Sequence, residues 1–184
     1  MFEFPSSSEE TCQLAIDLVK YLKNVRKNTE TATGWTRENI NRLDEYFSDR
    51  GLDCFHSRSE KGGEFLWDFA AYARARGILL VAESEHANAG RELERDFEKL
   101  FYATSPLKLF MCRVNGPENA KKLKDSLSAF MHATCKNFNH GEVFILYFVW
   151  WAGSDNINRD IAYLLQVSGK LAYSDIDNAE FTSI

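Results

Sequence analysis

The stretch GILLVAESEH (Gly77–His86) decides the fold, because it joins a continuous apolar run to two acidic residues. An apolar run that starts at a glycine and shows no polar alternation predicts a strand buried on both faces of a sheet. Glu83 and Glu85 stand two positions apart at its end, so their side chains point to the same face. Acids in that place raise the question of what they bind.

The preceding strand supplies a third acid. The aromatic-rich segment EFLWDFAAYA (residues 64–73) predicts a strand that forms a hairpin with LDCFHSRS (residues 52–59). If the second and third strands are neighbours, Asp68 and Glu83 lie side by side at one end of the sheet. Like charges at that distance are unfavourable unless a cation or a shared proton lies between them. Mg²⁺ or Mn²⁺ suits such a pair, and acids simply solvated at a strand end are the alternative.

The rest of the chain predicts helices that alternate with strands. Two helices come first: residues 6–27, which open with capping-box spacing, and residues 35–51, for which Thr36 suits the N-cap. After the buried strand come a helix, a strand, a long helix and two strands, and the polar tail YSDIDNAEFTSI (residues 173–184) is expected to be loosely held. This order favours an α/β fold, in which helices flank both faces of a mixed central sheet.

The composition is that of one globular domain. The chain has 184 residues, of which 45% are hydrophobic and 27% charged, which allows one sizeable core and leaves two domains cramped. We therefore expect one domain over residues 1–184, divided into an N-terminal helix and loop (1–35), a core (36–114) and a C-terminal part (115–184). The net charge of −5 counts against a purely electrostatic nucleic-acid binder.

Three features predict a cytoplasmic protein that does not enter a membrane. The N-terminus MFEFPSSSEE lacks the basic and apolar regions of a secretory signal. The longest apolar run, VFILYFVWWAG (residues 143–153), is too short for a membrane-spanning helix. The four cysteines show no paired spacing, which indicates free thiols in a reducing compartment.

In its acids and element order the chain resembles the PD-(D/E)XK nuclease superfamily, also called restriction endonuclease-like. That superfamily places an acid on the second core strand and the pattern (D/E)-x-K on the third, followed by a helix and a fourth strand. Here Asp68 stands at the first place and Glu83-Ser84-Glu85 at the second, and DFEKL followed by LKLFMCRV completes the order. The resemblance implies an αβββαβ core, here with an extra N-terminal helix and with a C-terminal helix plus two strands.

The resemblance implies hydrolysis of phosphodiester bonds in DNA or RNA, with Asp68 and Glu83 as ligands of Mg²⁺ or Mn²⁺. The chain departs from the pattern at the third position, where Glu85 replaces the usual lysine, as in members that carry E-x-E. Glu85 could orient or deprotonate the attacking water or bind a second ion, and Lys99 of the next helix could supply the missing cation. A second departure is Trp67, which stands where the family's name has proline.

Further residues have both a functional and a structural interpretation. The superfamily often places a glutamate on the helix before the first core strand, where Asp44 and Glu45 could approach the metal or be solvated. His86 could contact a phosphate or be structural. Arg91 and Arg95 could follow a phosphate backbone or form a solvated helix face.

A function of another class also fits the sequence. A scaffold of this fold that has lost catalysis and binds a protein partner would explain the missing lysine and the acidic charge. The feature that discriminates the two is whether Asp68 and Glu83 jointly hold a divalent ion. The run YFVWW (residues 147–151) is core, or it forms a homodimer contact through Trp150 and Trp151 if its strand lies at an edge.

Overall fold

The structure is a computed structural model that describes residues 3–24, 32–56, 66–86, 90–134, 141–152, 157–167, 171–175 and 181–183. The described part of the chain contains four α-helices and eight strands, with a short 3₁₀ helix, Leu100–Tyr102, after the third helix. In chain order the elements are α1 (Ser8–Asn24), α2 (Ala32–Ser48), β1 (Asp53–His56), β2 (Phe69–Ala73), β3 (Gly77–His86), α3 (Gly90–Lys99), β4 (Leu107–Arg113), α4 (Pro117–Thr134), β5 (Val143–Ala152), β6 (Ile157–Val167), β7 (Leu171–Asp175) and β8 (Phe181–Ser183).

The described strands form one mixed sheet whose spatial order is the chain order, from β1 to β8. β1, β2 and β3 are antiparallel neighbours, β3, β4 and β5 are parallel, and β5 to β8 are again antiparallel. Phe69 of β2 stands opposite Ala82 of β3, so the predicted neighbourhood of the second and third strands is confirmed. The α/β class with a mixed sheet is also confirmed.

Helices cover both faces of the sheet, as the sequence predicted. The apolar stripes of α1 and α2, with Leu18, Leu22 and Phe47, pack on one face. Those of α3 and α4, with Phe97 and Leu127, pack on the other. The parallel strands in the middle are buried from both sides, because in an α/β arrangement neither of their faces reaches water. None of the helices that the structure describes is long and apolar enough to cross a membrane.

Local signals fix the ends of the first two helices. The Ser7 hydroxyl accepts a hydrogen bond from the Glu10 backbone at 3.2 Å, and the Glu10 carboxylate accepts one from the Ser6 backbone at 2.6 Å. The first bond satisfies a donor that the first helical turn leaves without a partner, and the second ties the chain before the helix to that turn. Helix α2 is followed by Gly51, whose φ of 78° is the left-handed conformation that glycine adopts without strain.

A buried ion pair lies at the end of the sheet where the parallel strands begin. Lys108 Nζ on β4 is 2.7 Å from Glu142 Oε2, which immediately precedes β5, and both side chains are almost wholly buried. The Lys108 ammonium also lies 4.9 Å from the centre of the Phe144 ring. Burial lowers the pKa of Lys108, although the contact with Glu142 opposes that effect.

Two expectations are wrong, one about the number of strands after α4 and one about the start of α2. Four strands follow α4 instead of two, because β7 and β8 extend the sheet; the other residues of the predicted tail lie outside the described residues. β7 pairs with the long strand β6, and the polar composition of this segment did not predict that pairing. Helix α2 begins at Ala32, and Thr36 lies inside it instead of at the N-cap. Gly34 lies inside this helix, where a glycine costs about 1 kcal/mol of helix stability. The burial of Trp35, which is 7% exposed, outweighs that cost.

The start of the second strand also differs from the prediction. β2 begins at Phe69, and the residues from Leu66 to Asp68 form a bend before it. Residues 57–65, including the first part of the predicted strand, lie outside the described residues. Asp68 therefore reaches the sheet from its end and not from within the strand.

Candidate metal centre

Three carboxylates meet where β2 begins and β3 ends. Asp68, Glu83 and Glu85 each offer an oxygen, and these oxygens lie within 4.8 Å of one another. The pairing of Phe69 with Ala82 puts Asp68, one residue earlier, beside Glu83, one residue later. Because β3 side chains alternate, Glu83 and Glu85 point to the face that carries α3. The structure thus brings together the three acids that the sequence singled out.

Ser84, between the two glutamates, is fixed by three hydrogen bonds. Its backbone N–H donates to Asp68 Oδ2 at 2.9 Å, and its carbonyl accepts from the Thr36 hydroxyl at 3.2 Å. Its own hydroxyl accepts from the Asn39 amide at 3.1 Å, on the α2 side of the sheet. Side chains here replace the strand partner that β2 no longer provides. The flanking glutamates are therefore held on a rigid backbone.

Glu83 is the most deeply buried acid of the group. Its side chain is 1% exposed, and Oε1 has no hydrogen-bond partner among the residues described. Burial, and then the charge of Asp68, raise the pKa of Glu83 to about 9. Buried polar atoms nearly always have a hydrogen-bond partner, so the Glu83 Oε1 atom calls for a partner that is not among the described residues. A bound cation is such a partner, because it favours the ionised carboxylate that burial disfavours.

Glu85 is half-buried at the end of the same strand. Burial raises the pKa of Glu85 to about 8, and a hydrogen bond with Asp96 of α3 acts in the same direction. Without a cation, burial therefore favours the protonated forms of Glu83 and Glu85, so metal binding at this cluster releases protons.

Lys99 reaches the cluster from the last turn of α3. Its ammonium nitrogen lies 2.5 Å from Asp96 Oδ1 and 3.7 Å from Glu83 Oε2. Burial acts to lower the pKa of Lys99, but the hydrogen bond with Asp96 and the charge of Glu83 outweigh it and raise the pKa overall. Lys99 is therefore a cation at the site, in the place suggested by its position on the next helix.

Asp96 is the residue that the sequence interpretation missed. It precedes Lys99 by three positions, the spacing at which two side chains on a helix are neighbours. It also precedes Phe97, which anchors α3 in the core and is fully buried. The combination of an i,i+3 pair with the buried stripe of α3 was the available signal, because it places Asp96 and Lys99 together beside the sheet.

Of the other candidates, Asp44, Glu45 and Arg95 are not part of this cluster. Glu45 accepts a hydrogen bond from the Tyr21 hydroxyl at 3.1 Å, and Asp44 accepts one from Ser48 at 3.5 Å, so both are engaged elsewhere on α2. Arg95 is exposed on α3. The side chains of His86 and Arg91 lie outside the described residues.

The donor set suits a hard divalent cation. Carboxylate oxygens are the ligands that Mg²⁺ and Mn²⁺ prefer, with water completing the coordination. Two oxygens that bind one Mg²⁺ at about 2.1 Å lie at most about 4.2 Å apart. The spacing of up to 4.8 Å in the cluster therefore requires only a small rotation of the side chains.

Comparisons with known proteins do not add to this chemistry. No family model matches the chain, and no curated protein matches it in sequence. What the chain shows at this end of its mixed sheet is a group of three carboxylates, one buried and two half-buried, with a lysine beside it.

Proposed function

We propose that the chain is a nuclease that hydrolyses phosphodiester bonds with Mg²⁺ or Mn²⁺ held by Asp68 and Glu83. The observation that carries this proposal is the orphaned Glu83 Oε1, buried beside two other carboxylates. An acidic cluster alone is common at protein surfaces. A cluster with a deeply buried, unpaired acceptor at its centre favours a cation.

The element order supports the same function. From α2 to β4 the chain runs α, β, β, β, α, β, with the acids at the second and third strands. This order agrees with the restriction endonuclease-like core that the sequence resembles. Nucleic acid, DNA or RNA, is then the substrate, and the cytoplasm is the compartment that the free thiols of Cys12, Cys54 and Cys112 favour.

Each side chain has a defined task in this proposal. A divalent ion, when bound, supplies a more acidic water and neutralises charge on the scissile phosphate. Asp68 and Glu83 hold the ion, and the bond from Asp68 to the Ser84 backbone keeps the two acids in register. Glu85 accepts a proton from the attacking water. The oxygen of that water bonds to phosphorus as the bond from phosphorus to the leaving oxygen breaks. The Lys99 ammonium donates hydrogen bonds to a phosphate oxygen.

Calorimetric titration with Mn²⁺ tests the metal site. We expect wild type to bind and the near-isosteric variants Asp68→Asn and Glu83→Gln to lose at least about tenfold in affinity, because each removes one anionic ligand. Glu98→Gln, an exposed change on α3, is the matched control and should bind as wild type does. Cleavage of single- and double-stranded DNA and RNA follows. Full cleavage by Glu83→Gln would contradict the proposal.

A catalytically inactive scaffold is the second candidate. It is favoured by the internal neutralisation of the cluster, since Lys99 lies 2.5 Å from Asp96 and 3.7 Å from Glu83. In that case the surface around the cluster binds a protein partner, and no divalent ion is needed. Absence of Mn²⁺ binding, even with a non-cleavable oligonucleotide present, would support the scaffold.

A further inference from the structure

The side chain of Lys99 is restrained by a carboxylate from its own helix. Asp96 Oδ1 lies 2.5 Å from the ammonium nitrogen, and the two side chains are only 17% and 31% exposed. A surface lysine normally samples many rotamers and gains little from an ion pair. Here Glu83 Oε2 lies on a second side, at 3.7 Å. The ammonium group is therefore held between a carboxylate of α3 and the buried acid of β3.

The backbone of Lys99 is restrained independently. The indole nitrogen of Trp67 donates a hydrogen bond to the Lys99 carbonyl at 3.0 Å. This carbonyl lies where α3 ends and the 3₁₀ helix Leu100–Tyr102 begins. The Trp67 ring packs against the core on the α3 side of the sheet. Since Trp67 directly precedes Asp68, one side chain joins the segment that bears the first acid to the helix end that bears the lysine.

We infer that Asp96 and Trp67 are positioning residues that fix Lys99 as the cation of the carboxylate centre. Asp96 orients the ammonium group, and Trp67 holds the helix end from which it extends. The inference rests on the proposed function for the use to which Lys99 is put. It explains why β3 can carry Glu85 in the position of the usual lysine, because Lys99 of α3 already places a positive charge beside Glu83.

Fixing the ammonium matters because catalysis by positioned groups is sensitive to small displacements. A misplacement of about 1 Å can cost about a hundredfold in rate. An unrestrained lysine on α3 would reach the phosphate in only a fraction of its rotamers. Asp96 and Trp67 should therefore affect turnover more than substrate or metal affinity.

The first experiment measures the restraint itself, in the metal-free protein. The ¹⁵N signal of a lysine ammonium group is observable by NMR when a stable contact slows its proton exchange with water. We expect such a signal for Lys99, assigned by its loss in Lys99→Met. Asp96→Asn should abolish it, and Trp67→Phe, which keeps an aromatic ring but loses the donor, should shift or broaden it. Glu98→Gln, with the same charge change on the same helix, should leave it unchanged.

The second experiment measures the consequence for cleavage with Mn²⁺ and an oligonucleotide. We expect Asp96→Asn to lower kcat by about 10- to 100-fold and to change KM by less than about threefold, because positioning acts on the reacting geometry. Circular dichroism checks that each variant is folded. Glu98→Gln should have the kcat of wild type.

The outcomes separate the inference from the proposed function. A Lys99 signal that persists unchanged in both Asp96→Asn and Trp67→Phe overturns the inference, whatever the protein cleaves. Cleavage by wild type with an unaltered kcat in Asp96→Asn overturns it too, while the nuclease assignment stands. If wild type neither binds Mn²⁺ nor cleaves, the proposed function fails. The NMR signals then still decide whether the two residues fix Lys99.

Discussion

Replacing Glu83 by glutamine removes a buried titratable group and keeps its size. Burial and the charge of Asp68 raise the pKa of Glu83 from 4.5 to about 9. Between those pH values the folded metal-free protein keeps a proton that the unfolded chain releases. The free energy of unfolding of wild type should therefore fall as pH rises through this window, and the contribution of Glu83 is fully present only below it. Glutamine does not titrate, so the variant escapes this loss.

The slope of the effect follows from proton linkage. One group protonated in the folded state and ionised in the unfolded state changes the free energy of unfolding by about 1.4 kcal/mol per pH unit. Between pH 5.5 and 7.5 the stability advantage of Glu83→Gln over wild type should therefore widen by about 3 kcal/mol. Urea denaturation at several pH values, with a chelator present and constant ionic strength, measures this difference. Glu98→Gln, at the surface, should differ from wild type by a constant amount.

Two results would refute the reasoning. If the difference between Glu83→Gln and wild type does not change with pH, Glu83 is ionised throughout and forms an ion pair with Lys99. If saturating Mn²⁺ stabilises Glu83→Gln as much as wild type, the orphaned oxygen does not bind the ion. The expected outcome is that Mn²⁺ raises the free energy of unfolding of wild type at pH 7.5 and leaves that of the variant almost unchanged.

Three further outcomes are expected. Because Mn²⁺ must displace protons from Glu83 and Glu85, whose pKa is raised to about 8, its association constant should rise by about tenfold or more per pH unit between pH 6 and 8. Calorimetry in buffers of different ionisation enthalpy measures the released protons, and a pH-independent affinity would contradict this. Lys99→Met should bind Mn²⁺ more tightly than wild type, because it removes a like charge, and yet cleave more slowly; weaker binding would argue against Lys99 facing the ion. Glu142→Gln should lower the free energy of unfolding by about 3 kcal/mol, because it leaves Lys108 buried without its partner. Urea denaturation checks this, and adding Lys108→Met should recover most of the loss.

The centre of the fold could be predicted from the sequence because its signals are local. The apolar run of β3 and the alternation of its acids locate Glu83 and Glu85, and the hairpin pattern locates Asp68. The strands β7 and β8 could not be predicted in this way, since a polar segment pairs only when a long neighbour offers its edge.

The surroundings of the site depend on contacts between elements distant in sequence. The sequence around Thr36 predicts an N-cap, but the Thr36 hydroxyl donates a hydrogen bond to the Ser84 carbonyl of β3. Asp96 looks like one of many charges on an exposed helix until α3 packs beside β3. Trp67 is an aromatic residue in an aromatic segment, and only the fold shows that its indole reaches the end of α3.

The bonds around Ser84 also bear on self-association. β3 continues beyond the first residue of β2, and a strand that outruns its neighbour presents backbone groups to which another chain could add a strand. The Asp68 carboxylate accepts from the Ser84 N–H, and the Thr36 hydroxyl donates to the Ser84 carbonyl. These two side chains therefore also protect the sheet from intermolecular pairing. Asp68→Ala would remove the proposed metal ligand and at the same time free the Ser84 N–H for pairing. Asp68→Asn keeps an acceptor oxygen for the Ser84 N–H and is therefore the variant that separates loss of metal from aggregation.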